Sequence, residues 1–240
     1  MANTYFRFKH FTIEQDQCAM KVCTDACVLG AAAELTTATR ILDVGTGTGL
    51  LALFAAQRNA TATVEAVEIA PDAARQASHN VARSPWADRV RVHPLSLAQF
   101  AATSPAPFDH ILSNPPFFRR ALRSPDAART TARHTAPDTL SFGELARFAA
   151  DFLTPAGALT ILLPPPEMQQ FEREAAHAGL YPAARLVLHH RPGSKALRHI
   201  TRFSRRAEAA DTRALPIHPA GTDDYSPEFR QLLRGFYLAF

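Results

Sequence analysis

Asn114, Pro115, Pro116 and Phe117 place a hydrogen-bonding amide and an aromatic ring on either side of two prolines. They follow the apolar run FDHILS, at the point where a strand should end. Each proline fixes φ near about −65° and lacks an N–H donor, so the pair ends a β-ladder and stiffens the chain. The side chains of Asn114 and Phe117 are therefore held in fixed directions. Because Asn-Pro and Pro-Pro are also ordinary loop punctuation, the rest of the chain must decide whether this corner is functional.

A second group of candidate residues lies in the segment LDVGTGTG, where Asp43 precedes a glycine-rich turn. The glycines of this turn are Gly45, Gly47 and Gly49. A dinucleotide-binding G-x-G-x-x-G pattern needs a glycine at position 50, where this chain has Leu50, so NAD is disfavoured. The dense glycines still indicate a close approach of a ligand, and the start of the next helix favours a phosphate or a carboxylate. Glu68 ends the following apolar run and is placed to accept both hydroxyls of a ribose.

Strands and helices alternate along the chain, and this order explains how the candidate residues meet. The spacing of apolar residues and the Gly and Pro residues between the apolar runs predict strands at RILDV, TVEAVEIA, RVRVH, FDHILS, GALTILLP, ARLVLHHR and HITRFSR. Helices are predicted after the glycine turn to about Arg58, from Pro71, at the capping box of Ser141 and Glu144, and in PEMQQFEREAAHAG. The pattern predicts an α/β fold with a doubly wound, mostly parallel sheet whose last two strands are antiparallel. Such sheets bind ligands beyond the carboxyl ends of their strands, which is where all three signals lie.

Length and composition limit the class of protein. A chain of 240 residues is long enough for one sizeable domain, and we expect a single domain over 1–240. The hydrophobic share of 47% and charged share of 20% exclude a disordered or fibrous chain. The longest apolar run, LLALFAA, is too short to span a bilayer, and the N-terminus does not resemble a signal peptide. We therefore expect a soluble cytoplasmic protein with no membrane partner.

Three cysteines are crowded together at Cys18, Cys23 and Cys27. An odd number suits a reducing compartment. Their spacing matches neither zinc sites nor the usual iron–sulfur runs, and no histidine lies close by in the sequence. We therefore expect small buried thiols and no metal.

The positive charge of the chain is unevenly distributed. The formal net charge is +4, and arginines gather in FRRALRSPDAARTTARH and again in HHRPGSKALRHITRFSRR. Such clusters raise the local concentration of a polyanion and make salt-sensitive contacts to phosphates. They favour nucleic acid as a partner.

The chain resembles the class I S-adenosylmethionine-dependent methyltransferases, and NPPF resembles the N-P-P-[YF] signature of enzymes that methylate amino groups in planar conjugated systems. The segments CAMKVCTDACVLG, SPWADRV, SNPPFF and YSPEFRQLLRGFYLAF narrow the resemblance to bacterial tRNA (adenine-N6)-methyltransferases that act beside the anticodon of a valine tRNA. The resemblance runs from near residue 8 to the end. It implies a Rossmann-like sheet of seven strands with an antiparallel last strand. It also implies an N-terminal segment 1–40, a catalytic core 41–206 and a C-terminal extension 207–240.

The resemblance implies S-adenosylmethionine as the cofactor. The three glycines of the turn would then pass close to its methionine part, Asp43 would lie near its amino group, and Glu68 would hold its ribose. The chain departs from the pattern at Ser96, where similar enzymes usually carry an acid that binds the adenine amine. A serine hydroxyl accepts a hydrogen bond without supplying charge, so we expect modest cofactor affinity.

The resemblance also gives the Asn-Pro-Pro corner a role. The side-chain oxygen of Asn114, which also lies in the cofactor site, and the backbone oxygen of Pro115 would accept the two N–H bonds of the adenine amine and localise its lone pair. Pro116 would help to hold these acceptors still, and Phe117 would stack on the base. Further contacts to the tRNA are expected from Phe118, Arg119, Arg120, Arg133 and Arg198. Nothing in the sequence fixes the oligomeric state, and a monomer is the expectation.

Three alternatives remain open at this stage. Protein glutamine N5-methyltransferases use the same corner on an amide nitrogen, but they usually carry a helical domain ahead of the catalytic one, and here only about 40 residues precede Ile41. A nicotinamide oxidoreductase is disfavoured by Leu50 and leaves Asn-Pro-Pro without a role. A non-catalytic RNA-binding protein on the same fold is disfavoured by the intact set of site residues.

Overall fold

A central eight-stranded sheet organises the computed structural model, which describes residues 3–18, 20–116 and 140–240. A two-stranded hairpin, β1 (Tyr5–Arg7) and β2 (Thr12–Glu14), precedes it. The strands of the large sheet are β3 (Arg40–Val44), β4 (Thr63–Val67), β5 (Val90–His93), β6 (Phe108–Ser113), β7 (Leu153–Leu163), β8 (Tyr181–His189), β9 (Ala196–Ser204) and β10 (Asp211–Pro216). The described helices are α1 (Thr24–Ala32), α2 (Leu50–Arg58), α3 (Pro71–Ala82), α4 (Leu97–Ala102), α5 (Phe142–Phe152), α6 (Pro165–His177) and α7 (Pro227–Leu233).

The strand order confirms the predicted doubly wound topology. Across the sheet the order is β5-β4-β3-β6-β7-β9-β8-β10, and every neighbouring pair is parallel except the two that involve β9. The antiparallel pairing of β8 and β9 was predicted from the short turn between them. The chain reverses its direction of winding between β3 and β6, so the crevice of the sheet lies at the carboxyl ends of these two strands.

The sheet has one strand more than the seven that were expected. The antiparallel strand is β9, and the chain then adds β10 parallel to β8 at the edge. Most residues of β10 are exposed, and its segment DTRALP ends in proline. An edge strand needs no continuous apolar run, so the hydrophobic pattern that revealed the buried strands is absent here.

Helices cover both faces of the sheet and divide the core into two apolar clusters. One cluster contains the buried sides of α1, α2 and α7, and the other contains those of α4, α5 and α6. The helices α1 and α2 approach each other closely because Gly30 has no side chain, and a Cβ there would stand 2.7 Å from the ring of Phe54. Because helices cover both faces of the sheet, its parallel strands are buried on both sides, and their sequences are continuous apolar runs.

Helix starts follow the local signals in the sequence. Pro71 is the first residue of α3, as predicted. The capping box of Ser141 and Glu144 opens α5, also as predicted, with the Ser141 hydroxyl accepting the backbone N–H of Glu144. Short α4 was not predicted, and it too begins with a capping box.

The two ends of the chain pack together over α2. Phe8 forms a bridge with Tyr237, and the ammonium of Lys9 donates to the carbonyl oxygens of Arg234 (2.7 Å) and Phe240 (2.5 Å). The ring of Phe236 stacks on Phe54 of α2 at 4.0 Å between centroids. The N- and C-terminal segments therefore form one layer, although nothing in the sequence pattern revealed this contact.

The cysteines are not uniformly buried as expected. Cys27 lies in the core, but Cys18 is half-buried and Cys23 is exposed. The segment around Cys18 and Cys23 is an irregular connection before α1, and such connections run over the surface. Within the described ranges, no group of three or more potential metal-binding side chains is found. The helices of those ranges include none with the length and apolar character needed to cross a membrane.

Candidate active site

The candidate residues follow strands that end side by side. The last residues of β6, β3, β4 and β5 are paired in register across the sheet. The residues that come next after β6, β3 and β4 are Asn114, Gly45 and Glu68, so these three lie in one row along the edge. The hydroxyl of Ser113 donates to the carbonyl oxygen of Val44 at 2.9 Å and fixes β6 against β3. The convergence predicted from the sequence is present in the structure.

The glycine turn after β3 is a left-handed backbone with open space above it. Gly45, Gly47 and Gly49 have φ angles of 71°, 56° and 84°, values that glycine adopts without strain. Among the described residues other than the chain neighbours, no heavy atom lies within 4 Å of the position that a Cβ would take at Gly45 or Gly47. The turn closes through the N–H of Gly49 and the carbonyl oxygen of Thr46 at 2.9 Å, and α2 then begins. The backbone of this turn is therefore accessible to a ligand.

Asp43, near the end of β3, is fully buried, and one of its two carboxylate oxygens accepts hydrogen bonds from the described residues. Its Oδ2 accepts hydrogen bonds from the hydroxyl of Thr46 and from the backbone N–H of Ala52 at 3.1 Å. Its Oδ1 is buried and accepts no hydrogen bond from the described residues. Burial raises the pKa of Asp43 to about 7, and the two hydrogen bonds oppose this rise. A buried carboxylate oxygen without a donor is costly, and a cationic group of a ligand would satisfy it.

Glu68 is also buried, with 9% of its surface exposed, and both carboxylate oxygens accept backbone N–H groups. Oε2 accepts from Gly47 and Oε1 accepts from Ala70, each at 2.9 Å. Each oxygen keeps a further lone pair, which is what two neighbouring hydroxyls of a ribose would need. The hydrogen bond to Gly47 joins the acid after β4 to the turn after β3.

Ser96 has a structural role that was not expected. It is the N-cap of α4, with its hydroxyl accepting the N–H of Gln99 at 3.1 Å and its own N–H donating to the Gln99 side chain at 2.9 Å. The capping bond uses one acceptor position of the hydroxyl. Its contact with a cofactor adenine stays a prediction.

Asn114 is half-buried, and its side-chain oxygen is unusual. The Oδ1 atom is buried and has no hydrogen-bond partner among the described residues. Leaving such an acceptor unpaired costs about 1–3 kcal/mol. Pro115 is buried and Pro116 is exposed. The other predicted residues of this corner and its arginine cluster lie outside the described residues, namely Phe117, Phe118, Arg119, Arg120 and Arg133.

The second arginine cluster is divided between the two edges of the sheet. Arg198 lies at the start of β9, and its partner in the sheet, Leu188, lies near the carboxyl end of β8, so Arg198 is at the same edge as Asn114. Its Nε lies 2.8 Å from Oδ2 of Asp25 in the first turn of α1. Arg202, Arg205 and Arg206 come later on β9 or after it, towards the opposite edge. These three arginines therefore lie further from Asn114 than Arg198 does, because β9 runs away from the site.

The structure adds residues that the sequence did not single out. Ile69, directly after Glu68, is apolar but 40% exposed, so it can cover an aromatic ring of a ligand. Burial raises the pKa of the Cys18 thiol to about 11, and the nearby negative charge of Glu68 adds to this rise.

Asn80 joins β2 to the glycine turn, since its side-chain amide donates to the backbone oxygens of Glu14 and Thr48, each at 2.9 Å. The segment CAMKV was part of the resemblance, but no role had been inferred for it.

Comparison with known proteins decides the family. The family model described as methyltransferase small domain matches residues 26–163. The chain is 44% identical to the tRNA1(Val) (adenine(37)-N6)-methyltransferase of Dyadobacter fermentans over 99% of both chains. The chain belongs to this methyltransferase family. A relative of the same name from Trichodesmium erythraeum is 39% identical to this chain over 100% of both chains.

Solved structures support the fold of the methyltransferase. The crystal structure of a predicted O-methyltransferase, protein Atu636 from Agrobacterium tumefaciens, matches 88% of this chain and 96% of its own with a TM-score of 0.64. Because the two sequences share only 22% identity, this likeness concerns the fold alone. It agrees with the α/β architecture that the sequence predicted.

Proposed function

We propose that this methyltransferase transfers a methyl group from S-adenosylmethionine to the exocyclic N6 amine of an adenosine in tRNA. The specific substrate that we propose is position 37 beside the anticodon of valine tRNA. The observation that carries the proposal is the buried Oδ1 of Asn114, which has no hydrogen-bond partner among the described residues and lies next to the glycine turn in the register of β6 and β3. The printed activity of the relatives supports the choice of nucleotide. We further propose that residues 1–240 act as one methyltransferase domain and as a monomer.

The residues around the glycine turn fit the proposed cofactor. When bound, S-adenosylmethionine supplies an electrophilic methyl group on a sulfonium. The open backbone at Gly45 and Gly47 leaves space for its methionine part, and the free Oδ1 of Asp43 accepts from its amino group. Glu68 accepts the ribose hydroxyls with its remaining lone pairs, and Ser96 lies in the loop after β5 where the adenine would be held.

Asn114 and Pro115 activate the nucleophile in the proposed reaction. The adenine N6 is a poor nucleophile because its lone pair is delocalised into the ring. When Oδ1 of Asn114 and the carbonyl oxygen of Pro115 accept the two N–H bonds, the nitrogen moves towards a tetrahedral state with a localised lone pair. The two prolines keep these acceptors in place, so little reorganisation is needed during the reaction. Phe117 would stack on the base, a contact worth about 1–3 kcal/mol.

No side chain has to act as a general base. The N6 proton becomes acidic only after the methyl group has been transferred, and the two acceptors can then pass it to water. The rate of the reaction comes mainly from proximity and from the fixed acceptors. The two carboxylates of the site, Asp43 and Glu68, are both assigned to cofactor contacts in this proposal, so neither is needed as a base.

The proposed substrate also satisfies the need for access. An adenine inside a duplex cannot place N6 at the bottom of a pocket, whereas a loop base swings out at low cost. Cations beside the site would contact the phosphates of the stem, so activity should fall steeply with salt.

Methyl incorporation from labelled S-adenosylmethionine into total tRNA and into release factor, measured in parallel, tests the proposed function. We expect incorporation into tRNA only. Mapping of N6-methyladenosine by mass spectrometry in tRNAs from a deletion strain then tests the nucleotide, and loss of the modification from valine tRNA is expected. Unchanged methylation of valine tRNA would refute the assignment, and loss of a methylated glutamine from release factor would support the protein substrate instead.

A further inference from the structure

The turn between β8 and β9, residues 190–195, lies at the same edge of the sheet as Asn114. The strand β8 runs in the same direction as β7 and β6, because β8 and β7 are each antiparallel to β9. Their carboxyl ends therefore meet at one edge. Three strand spacings of about 4.8 Å, roughly 14 Å in all, separate β6 from β8 across the sheet. Ser113 is level with Arg185 through the intervening strands, so β8 continues for four more residues, to His189. The turn, which we name the hairpin tip, therefore also extends about 13 Å beyond the level of the Asn-Pro-Pro corner.

Hydrogen bonds hold the hairpin tip in one conformation. The N–H of Ser194 donates to the carbonyl oxygen of Arg191, and the N–H of Arg191 donates to the Ser194 hydroxyl, each at 3.1 Å. Gly193 takes the left-handed position of the turn with φ of 74°. The guanidinium of Arg191 then binds the carbonyl oxygen of Pro219 at 3.3 Å and Oδ1 of Asp223 at 2.5 Å. These contacts fix the tip to the segment that follows β10.

Lys195 gives the hairpin tip a positive charge for which the described residues supply no acidic partner. Residues 181–207 contain seven arginines and lysines and no aspartate or glutamate. Arg191 and Arg198 nevertheless have acidic partners on other segments, in Asp223 and Asp25. Lys195 is exposed, and no ion pair with an acid is found for it within the described ranges. An exposed cation on a fixed turn, without an ion pair in the described ranges, is an arrangement that suits a phosphate.

Two imidazoles extend this surface. His190 is exposed at the start of the hairpin tip, and its ring lies 5.0 Å from that of His218, which follows β10. The Nδ1 atom of His218 contacts the carbonyl oxygen of Asp224 at 2.9 Å, which fixes the ring. The two rings supply hydrogen bonds and flat surfaces beside Lys195, a combination that fits a nucleotide chain better than a peptide.

We propose that the hairpin tip is a second contact for the RNA substrate, at which Lys195 binds a backbone phosphate while the target base occupies the Asn-Pro-Pro corner. The inference rests on the proposed function and deepens it. Because the hairpin tip would contact the RNA backbone and not the bases, it confers no sequence specificity. It favours an RNA whose chain continues along the sheet edge, such as a stem attached to the loop, over a short single strand.

Lys195→Gln and the charge reversal Lys195→Glu test this contact, with Arg206→Gln as the matched control. Arg206 is also an exposed cation, but it lies beyond β9 towards the opposite edge. Affinity for unmodified valine tRNA and for an oligonucleotide of the anticodon loop alone is measured by fluorescence anisotropy at several salt concentrations. The values of kcat and KM are measured with both RNAs by steady-state kinetics.

We expect Lys195→Gln to reduce the slope of log affinity against log salt for tRNA by about one, as loss of one phosphate contact does. KM for tRNA should rise about threefold to tenfold, with a larger rise for Lys195→Glu, while kcat and all values for the short oligonucleotide stay unchanged. Arg206→Gln should match the wild type. If tRNA binds Lys195 variants as it binds the wild type, the hairpin tip is not a contact and the proposed function stands. A wild type that neither binds nor methylates tRNA refutes both.

Discussion

Oε2 of Glu68 lies 2.9 Å from the backbone nitrogen of Gly47, so the acid after β4 accepts a hydrogen bond from the turn after β3. The second oxygen of the same carboxylate accepts the N–H of Ala70, at the start of α3. One buried side chain therefore fixes three segments around the proposed cofactor site. A change at Glu68 should act on binding in two ways, through lost contacts to the ribose and through a looser glycine turn.

Glu68→Ala should weaken binding of S-adenosylmethionine by about 2–3 kcal/mol, because charge-assisted hydrogen bonds to two hydroxyls are lost. Isothermal titration calorimetry measures the effect. Glu68→Gln keeps one acceptor oxygen and should lie between the alanine variant and the wild type. Wild-type protein that releases heat with NAD but not with S-adenosylmethionine would contradict the cofactor assignment.

Gly47→Ala should lower cofactor affinity more than stability. Its φ of 56° makes any side chain strained by about 1 kcal/mol, and the new methyl group would enter the open space above the turn. Gly179→Ala is the matched control, because Gly179 also has a left-handed φ of 77° and open space around it but lies after α6. Thermal melts should show similar losses of Tm for both variants. Only Gly47→Ala should reduce the affinity measured by calorimetry, and equal affinities would mean that the space above the turn is not used.

Asn114→Ala should leave cofactor binding nearly unchanged and slow methyl transfer about a hundredfold or more, because a transition-state acceptor is removed. Single-turnover assays at saturating tRNA isolate this step. Asn114→Asp retains an acceptor oxygen and should keep more activity than the alanine variant. The proposed activation of N6 is wrong if Asn114→Ala and the wild type react at the same rate.

The sheet and the row of site residues were predictable because their causes are local. Buried parallel strands read as apolar runs, and the residues after them carry the signals of glycine, acid and Asn-Pro-Pro. The register that brings Gly45 and Asn114 together follows from the parallel pairing of β3 and β6.

The features that were missed depend on contacts between distant parts of the chain. Strand β10 is an exposed edge with no apolar run, and the contact of Phe8 with Tyr237 joins the two ends of the chain. The pairing of Arg198 with Asp25 likewise needs α1 and β9 to be placed first. Counts of basic residues along the sequence cannot show which cations are already neutralised.

Asp43 should make the stability of the ligand-free protein fall as the pH rises. Burial raises its pKa from the ordinary value of 3.8 to about 7 in the folded chain. Between about pH 4 and pH 7 the unfolded chain has therefore released this proton while the folded chain still holds it. The free energy of unfolding then decreases with pH, by at most about 1.4 kcal/mol per pH unit, and the contribution is fully lost above the folded pKa. Urea unfolding at a series of pH values measures this slope.

Asp43→Asn is the variant that isolates the effect, because the amide is nearly isosteric and does not titrate. Other carboxylates keep the same slope in both proteins and cancel in the difference. Asp109 is one of them: desolvation raises its pKa, but hydrogen bonds from Thr39, Arg40 and Thr154 together lower the pKa below its ordinary value. The difference in unfolding free energy between Asp43→Asn and the wild type should therefore shift in favour of the variant from pH 4 to pH 7. Because Oδ1 must be ionised to hold an ammonium, binding of S-adenosylmethionine to the wild type at pH 6 should release a proton from Asp43, and calorimetry in buffers of different ionisation enthalpy detects it. Equal pH slopes for the two proteins would show that Asp43 is already ionised in the folded state.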